Sequence, residues 1–327
     1  AGIAWGQADY YHVVLLNGPP AFGKVSEINR DKIVLDTTPQ KVIPINEIKY
    51  VQYPNEPRFL TEARNNAIDG HWDQTLEWLN KIPPPQLTND VIRQDADYYR
   101  ALAAARLAAG GVGDARAAGT ALIEFLKANK DSYHYYEANE VTGDLLMAMG
   151  RYEQAPAYYG ELANAPWPDY KMRAAVELGN VAIAQGKYQE ALQQFDKALG
   201  IQAKGKSVEM QTIAAQVGKA KAMVALDRGK DAVKILNDAI EQAPVENNQL
   251  YAVAYDALGD AYLKMKQPED ALYAYLHVDV LYNQSPEQHA EALYHLKDLW
   301  AQMNKPDRAK EAADSLKSRY PSSQWNK

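Results

Sequence analysis

Two neighbouring stretches decide the fold of this chain: Tyr255-Asp-Ala-Leu-Gly-Asp-Ala-Tyr262 and Ala271-Leu-Tyr-Ala-Tyr275. Large side chains recur in them at intervals of three and four residues, which is the spacing of one face of an α-helix. Gly259 and Ala271 are small, so two helices can approach closely there, and Tyr275 follows one turn later to fill the gap. The two stretches predict a hairpin of two closely packed helices.

The same pattern recurs in phase along the chain. Two further copies combine a glycine in the first helix, a Gly-x-Tyr turn and an Ala-x-x-x-aromatic pair in the second helix: Gly143, Gly150-x-Tyr152 and Ala155 to Tyr159, then Leu178-Gly179, Gly186-x-Tyr188 and Ala191 to Phe195. This repetition resembles the tetratricopeptide repeat (TPR) over residues 56–325. The resemblance implies a mainly α fold, a right-handed α-α superhelical solenoid of about seven helical hairpins.

The repeat is longer than the standard one. Equivalent alanines at 155, 191, 232, 271 and 309 stand 36, 41, 39 and 38 residues apart, whereas the standard period is about 34 residues. We therefore expect longer turns or helices and an irregular superhelix. The second hairpin, in the alanine-rich segment 96–128 that is broken at residues 110–113, has the weakest pattern.

Residues 9–54 differ from the rest in pattern. Runs of β-branched residues separated by Asn, Gly, Pro and Asp predict five strands: Tyr11–Leu16, Phe22–Ile28, Lys32–Asp36, Lys41–Ile45 and Ile48–Tyr53. Five short strands in about 45 residues favour a small all-β module closed as an SH3-like or Sm-like barrel. It resembles small barrels beside helical repeats in bacterial envelope proteins. The predicted division is a segment 1–8, a β module 9–54 and a helical repeat domain 55–327.

Residues 1–8 bear on localisation. Gly6-Gln-Ala8 has the small-x-small form of a signal-peptidase site, and Ala1–Trp5 has the character of an apolar leader. We interpret residues 1–8 as a signal-peptide remnant, with a disordered tail as the alternative. The prediction is an exported, periplasmic or envelope-associated protein, with a cytoplasmic one as the alternative. No apolar run is long enough to predict a membrane span.

Several classes of function lack the residues they need. The net charge of −7 and the absence of a Lys/Arg block argue against a nucleic-acid partner. There is no cysteine, and no His-x-x-x-His pair that would predict a metal site. The segment Gly18–Lys24 has phosphate-loop spacing, but Val25 stands where Mg²⁺ binding needs Ser or Thr. We predict a protein without catalytic residues, cofactor or metal, with His289 and His295 on the surface and Asp95 near a helix start.

The first helix of each hairpin lines the concave groove that repeat proteins use for ligands. Residues of the best-phased first helices that we predict to face this groove are mostly acidic: Glu137, Glu140, Asp144, Arg173, Val176, Asn180, Val253, Asp256, Asp260, Glu291, Tyr294 and Asp298. Such a surface favours a basic or neutral ligand segment over an acidic one. A merely solvated acidic helix face is the alternative.

These patterns predict a non-enzymatic protein–protein interaction scaffold, with a partner segment in the groove. One alternative is a structural subunit of an oligomeric envelope assembly, in which the chain would form homo-oligomers. A second alternative is a glycan- or peptidoglycan-binding module, for which exposed aromatic residues such as Trp167 and Trp325 would supply the contacts.

Overall fold

The computed structural model describes residues 9–245, 247–321 and 323–326. The segment 1–8, on which the signal-peptide interpretation depends, lies outside them. Five strands come first, β1 Tyr11–Leu15, β2 Ala21–Ile28, β3 Lys32–Asp36, β4 Lys41–Pro44 and β5 Ile48–Gln52. Helices fill most of the remainder: α1 Arg58–Ile68, α2 Trp72–Asn80, α3 Asp90–Ala109, α4 Ala115–Ala128, α5 Tyr135–Ala148, α6 Ala155–Leu162, α7 Pro168–Ala184, α8 Tyr188–Leu199, α9 Lys206–Ala225, α10 Gly229–Gln242, α11 Asn248–Lys264, α12 Pro268–Leu281, α13 Pro286–Gln302 and α14 Pro306–Arg319.

The strands form one small antiparallel sheet in the order β4-β3-β2-β1-β5. Their bounds lie within one residue of the predicted strands. Alternate side chains pack on one face, among them the buried Val13, Ile33, Leu35, Ile43 and Val51. A barrel needs its edge strands to pair, but in the described part of the chain β4 and β5 are edges joined by a short 3-10 helix. The predicted SH3-like or Sm-like barrel is therefore not confirmed.

The fourteen helices of the described residues make seven consecutive hairpins, from α1 and α2 to α13 and α14. This confirms the predicted number, including the weakest hairpin of α3 and α4. The turns at Gly150 and Gly186 have φ of +69° and +72°, the left-handed conformation that ends many helices. In the last three hairpins the corresponding residues are Asp227, Lys266 and Asn304, so a search for glycine misses these turns.

The chain divides into two compact units, residues 1–174 and 175–327, with the boundary inside α7. The first unit contains the sheet and helices α1 to α6, and the second contains helices α8 to α14. The predicted division at residues 54/55 stays a prediction. Of the helices that the structure describes, none combines the length and the apolar character that crossing a membrane requires.

The glycines of the repeat lie where an aromatic ring of the following helix packs against the helix backbone. A Cβ atom added to Gly259 would lie 2.4 Å from the ring of Tyr275, and one added to Gly143 would lie 2.5 Å from the ring of Tyr159. Gly179 faces Phe195 in the same way at 2.6 Å. These distances are far below van der Waals contact, so no larger residue fits without movement. The predicted close crossing is confirmed.

A second regularity accompanies these contacts. The hydroxyl of Tyr275 donates to the carboxylate of Asp260 at 2.8 Å, and the hydroxyl of Tyr159 donates to Asp144 at 2.9 Å. Each aspartate directly follows the repeat glycine in the sequence. The hairpin with Phe195 has no hydroxyl to place, and Asn180 stands at that position. A buried tyrosine hydroxyl needs a polar partner. In these three hairpins, aspartate therefore follows the glycine where the ring is tyrosine, and asparagine follows it where the ring is phenylalanine.

The first unit encloses a network of charged side chains. The guanidinium of Arg64 is 1% exposed and makes two 2.9 Å hydrogen bonds to Glu56 and one of 2.8 Å to Asp95. Asp95 also accepts hydrogen bonds from the hydroxyls of Tyr53 and Tyr133, at 3.1 and 2.6 Å. Its carboxylate lies 2.8 Å from Nε2 of His134. The network joins the end of the sheet to α1, α3 and α5. Asp95 lies near the start of α3, as predicted, but it is buried and its partners come from distant parts of the sequence.

This network makes the stability of the first unit depend on pH. Burial opposes protonation of His134, but its contacts with Asp95 and Glu137 outweigh burial, so the pKa of His134 is raised above its usual value. A group whose pKa is higher in the folded state than in the unfolded state stabilises the folded protein when it is protonated. This stabilisation is complete below the unfolded-state pKa of about 6.5 and is lost as the pH rises through the folded-state pKa. We expect the free energy of unfolding of the wild type to exceed that of His134→Gln most at pH 5.5 to 6, and by less at pH 8. A constant difference in urea titrations across this range would contradict the prediction.

Candidate partner-binding site in the second unit

In the first unit, two of the three acidic residues predicted to face the groove are paired with arginines. Glu140 is buried and forms an ion pair with Arg173. Asp144 forms an ion pair with Arg106 at 2.9 Å, besides accepting from Tyr159. Glu137 is exposed. The carboxylates of Glu140 and Asp144 are thus neutralised within the unit, and they do not form the open acidic surface that the sequence analysis predicted.

The small sheet covers this part of the first unit. Asp31, in the turn between β2 and β3, accepts a 3.1 Å hydrogen bond from the hydroxyl of Tyr136 on α5. The guanidinium of Arg30 lies 5.4 Å from the ring centre of Tyr135. Asn46 donates to the buried Asp169 in the first turn of α7 at 3.1 Å. The sheet therefore occupies helix surface beside Glu140 that a ligand would need.

The second unit holds the other predicted residues, and they do not all lie together. Asn180 donates to Glu177 on its own helix at 3.1 Å. Asp298 is exposed, and its carboxylate oxygen lies 3.5 Å from Nζ of Lys297. Tyr294 is half-buried and packs against Trp325 with ring centres 5.4 Å apart. Asp256, Asp260 and Glu291 form a separate group, in which Asp260 and Glu291 border a cavity.

This cavity has a volume of about 600 Å³. Its wall combines apolar, aromatic and charged side chains from α7, α8, α9, α11, α13 and the C-terminal 3-10 helix: Ile183, Tyr188, Lys221, Val224, Ala225, Ala257, Asp260, Leu263, Lys264, Glu291, His295 and Trp325. Apolar walls with a few convergent polar groups are the usual composition of a ligand site. The volume is sufficient for one or two amino-acid side chains of a partner.

Carboxylates crowd one side of the cavity. Asp256 precedes Asp260 by four residues on α11, so both lie on one face of that helix. Asp256 is 2% exposed, and in the part of the chain that the structure describes neither of its carboxylate oxygens has a hydrogen-bond partner. Burial and the nearby Glu291 carboxylate raise the pKa of Asp256 well above its usual value, and Lys221 offsets this in part. Burial and Asp260 raise the pKa of Glu291 to about 7. Proton uptake and Lys221 relieve part of this crowding, and a positive ligand would relieve it further.

His295 belongs to the same group, which the sequence analysis missed. It follows Glu291 by four residues on α13, and its Nε2 lies 3.8 Å from the Asp260 carboxylate. Burial lowers the pKa of His295, so the imidazole is neutral at physiological pH. The Glu-x-x-x-His spacing was visible in the sequence, but the contribution of Asp260 from the preceding hairpin depends on how the hairpins stack. The prediction that His295 is a surface residue is wrong in part, since it is half-buried.

Two further predictions need correction. His289 is completely buried, and its ring nitrogens contact Tyr320 and Asp279, each at 2.7 Å. It ties α13 to α12 and to the end of α14, and it is not on the surface. Trp167 and Trp325 are half-buried, so neither is the exposed aromatic platform that a glycan-binding module would need.

Many solved structures resemble the chain, among them the following three. A tetratricopeptide repeat protein from Parabacteroides merdae gives a TM-score of 0.55 at 16% identity, covering 80% of this chain and 92% of that chain. The apo form of the quorum sensor NprR from B. thuringiensis gives 0.59 at 14% identity, covering 80% and 75%. The apo form of RapI gives 0.53 at 14% identity, covering 82% and 77%.

At these identities the likeness concerns the fold alone. No protein-family model matches the sequence, and no curated protein matches it. The structural comparisons agree with the helical-repeat architecture. The chain therefore has a tetratricopeptide-like helical-repeat fold, preceded by a small antiparallel sheet.

Proposed function

We propose that the chain is a non-enzymatic protein-interaction scaffold that binds a basic segment of a partner protein in the cavity of the second unit. The observation that carries the proposal is the group of Asp256, Asp260 and Glu291 at a cavity of about 600 Å³. Holding three carboxylates near one another, with Asp256 buried and the other two half-buried, costs free energy, and a cationic ligand recovers part of it. A guanidinium or ammonium group is the cation that a protein partner can supply.

The remainder of the cavity wall supports a peptide ligand. Tyr188 and Trp325 offer aromatic surface for the aliphatic part of an arginine or lysine side chain or for a neighbouring apolar residue. In the first unit, by contrast, arginines already pair with the corresponding carboxylates and the sheet covers the adjacent helices. The second unit is therefore the better candidate for partner binding.

The proposal predicts a charge preference that a peptide array measures. In buffer with EDTA, the labelled chain should bind peptides with Arg or Lys beside an apolar residue more strongly than peptides of the same length with Glu or Asp. The double variant Asp260→Asn/Glu291→Gln should lose most of this binding, at least about tenfold, because about 1.4 kcal/mol of lost charge pairing corresponds to that factor. Binding of the wild type should weaken at higher salt.

The control variant is Asp238→Asn/Glu241→Gln, which makes the same change of charge on the exposed surface of α10, outside the cavity. It should bind like the wild type. Equal loss in both double variants would show a general effect of net charge. That outcome, or the lack of any preference for basic peptides, would overturn the proposed site.

Export to the periplasm or envelope stays a prediction, because it rests on residues 1–8, which lie outside the described residues. Assembly of several copies into an envelope structure stays an alternative, and light scattering of the purified chain distinguishes a monomeric scaffold from a homo-oligomer.

A further inference from the structure

Asp260, Glu291 and His295 are arranged in the way a divalent cation site requires. One ligand atom from each, two carboxylate oxygens and an imidazole nitrogen, lies within 4.8 Å of the other two. Glu291 and His295 are four residues apart on α13, and Asp260 faces them from α11. The three side chains therefore converge from two packed helices, which hold them in place better than a loop would.

An independent observation points to a cation at the same position. Asp256 lies one turn before Asp260 on the same face of α11, with Glu291, Lys221 and Asp260 as its charged neighbours. Asp256 is 2% exposed, and both of its carboxylate oxygens lack a hydrogen-bond partner among the described residues. Buried polar groups in folded proteins nearly always have a partner. A cation at the cluster would add positive charge beside this carboxylate, which has acidic neighbours besides the positive Lys221.

Neighbouring groups orient the ligands as outer partners do in metal sites. The hydroxyl of Tyr275 donates to Asp260 at 2.8 Å, which fixes the direction of that carboxylate. The ring of His295 stacks on the ring of Tyr275 with centres 4.7 Å apart, and it lies 5.7 Å from Trp325. Both the carboxylate and the imidazole are thus held by the ring that also packs against Gly259.

The donor set indicates the class of metal. Imidazole nitrogen favours zinc and other late first-row transition ions, whereas Mg²⁺ and Ca²⁺ prefer sites made of oxygen alone. Zinc is commonly held by three protein ligands of the histidine and carboxylate type, with a further position left for water or another ligand. From the geometry we infer that Asp260, Glu291 and His295 form a Zn²⁺-type divalent cation site, with Asp256 supplying negative charge behind it.

This site does not depend on the proposed peptide binding. The same two carboxylates serve both ligands, so Zn²⁺ and a basic peptide should compete. The peptide array contains EDTA and the metal titration contains no peptide, so either proposal can fail while the other stands.

Isothermal titration of the tag-free full chain with ZnCl₂ tests the site. The wild type should bind one equivalent, and Mg²⁺ in excess should not displace it. His295→Gln and Glu291→Gln should each weaken binding by at least the roughly 10- to 100-fold that altering an outer partner of a metal ligand costs. With ¹⁵N-labelled histidine, Zn²⁺ should shift the ring-nitrogen signals of one histidine, and His295→Gln should remove those shifted signals.

His277→Gln is the matched control, because His277 lies in the same unit but outside the cavity. It should bind Zn²⁺ like the wild type, and circular dichroism should show the same helix content in all variants. The inference is overturned if the wild type binds no Zn²⁺, if His295→Gln and His277→Gln have equal effects, or if the shifted signals persist without His295.

Discussion

Replacing Asp95 with alanine is expected to lower the free energy of unfolding by about 3–5 kcal/mol, the range for breaking a buried ion pair from one side. The change removes the acceptor of Arg64, Tyr53 and Tyr133 and the contact of His134 at once. Glu56 would still pair with Arg64, and the Tyr53 hydroxyl would still have that of Tyr133 at 3.4 Å. The hydroxyl of Tyr133 and Nε2 of His134 would lose their buried acceptor, each at a cost of about 1–3 kcal/mol. Urea titration followed by circular dichroism measures the loss.

Asp97→Ala is the matched control for this variant. Asp97 lies two residues further along α3 and is exposed, with an ion pair to Arg100 across one helical turn. An exposed pair of this kind contributes less than about 1 kcal/mol, so the control should unfold close to the wild type. Equal losses for Asp95→Ala and Asp97→Ala would contradict the role given to the buried network.

Asp95 also predicts how the protein responds to acid. Burial alone would raise its pKa, but Arg64 and the contact with His134 outweigh burial and lower the pKa of Asp95 to about 2. A carboxyl group whose pKa is lower in the folded state than in the unfolded state stabilises the folded protein when it is ionised. This stabilisation is complete above the unfolded-state pKa of about 3.9 and is lost as the pH falls through the folded-state pKa. The difference between wild type and Asp95→Ala should therefore shrink between about pH 4 and pH 2.

Gly259→Ala should destabilise the second unit by about 1–3 kcal/mol, the usual cost of overfilling a packed core. The new methyl group would lie 2.4–2.6 Å from three ring atoms of Tyr275. The ring cannot easily withdraw, because Tyr275 is fully buried and its hydroxyl is bonded to Asp260. α11 and α12 would have to separate, and this should also disturb Asp260 at the cavity. Thermal and urea unfolding of the two proteins give the difference.

Gly160→Ala makes the same chemical change where there is space. Gly160 lies within α6, and a Cβ atom there would meet nothing within 4 Å. Alanine in a helix interior is favoured over glycine by about 0.5–1 kcal/mol, so this variant should be more stable than the wild type. Opposite signs for the two variants are the expected result, and equal signs would contradict the packing assigned to the repeat glycines.

Much of the fold could be predicted because it depends on local patterns. The five strands are bounded by turn residues, and the helical hairpins show the repeated glycine and Ala-x-x-x-aromatic pattern. The second hairpin was hardest to recognise, since the two faces of its alanine-rich helices differ little in polarity. Closure of the sheet could not be predicted, because pairing of β4 with β5 depends on strand register and twist.

The candidate site was predicted in part. The sequence placed Asp256, Asp260 and Glu291 on one side of the first helices, but it could not show that arginines pair with Glu140 and Asp144 in the first unit. The burial of Asp95 and His289 was not predicted, because burial of an ionisable side chain depends on partners from distant parts of the chain. The pairing of Tyr275 with Asp260 could have been found, since Tyr159 and Asp144 repeat it at equivalent positions.

The most direct test of the account locates a bound peptide by photo-crosslinking. A benzophenone amino acid would replace Tyr188, which lines the cavity of the second unit, or Tyr152, which has the equivalent place after the Gly150 turn in the first unit. The probe would be the tightest-binding basic peptide from the array, in buffer with EDTA. The account predicts a crosslink from position 188 and none from position 152. A crosslink from position 152 without one from position 188 would contradict it.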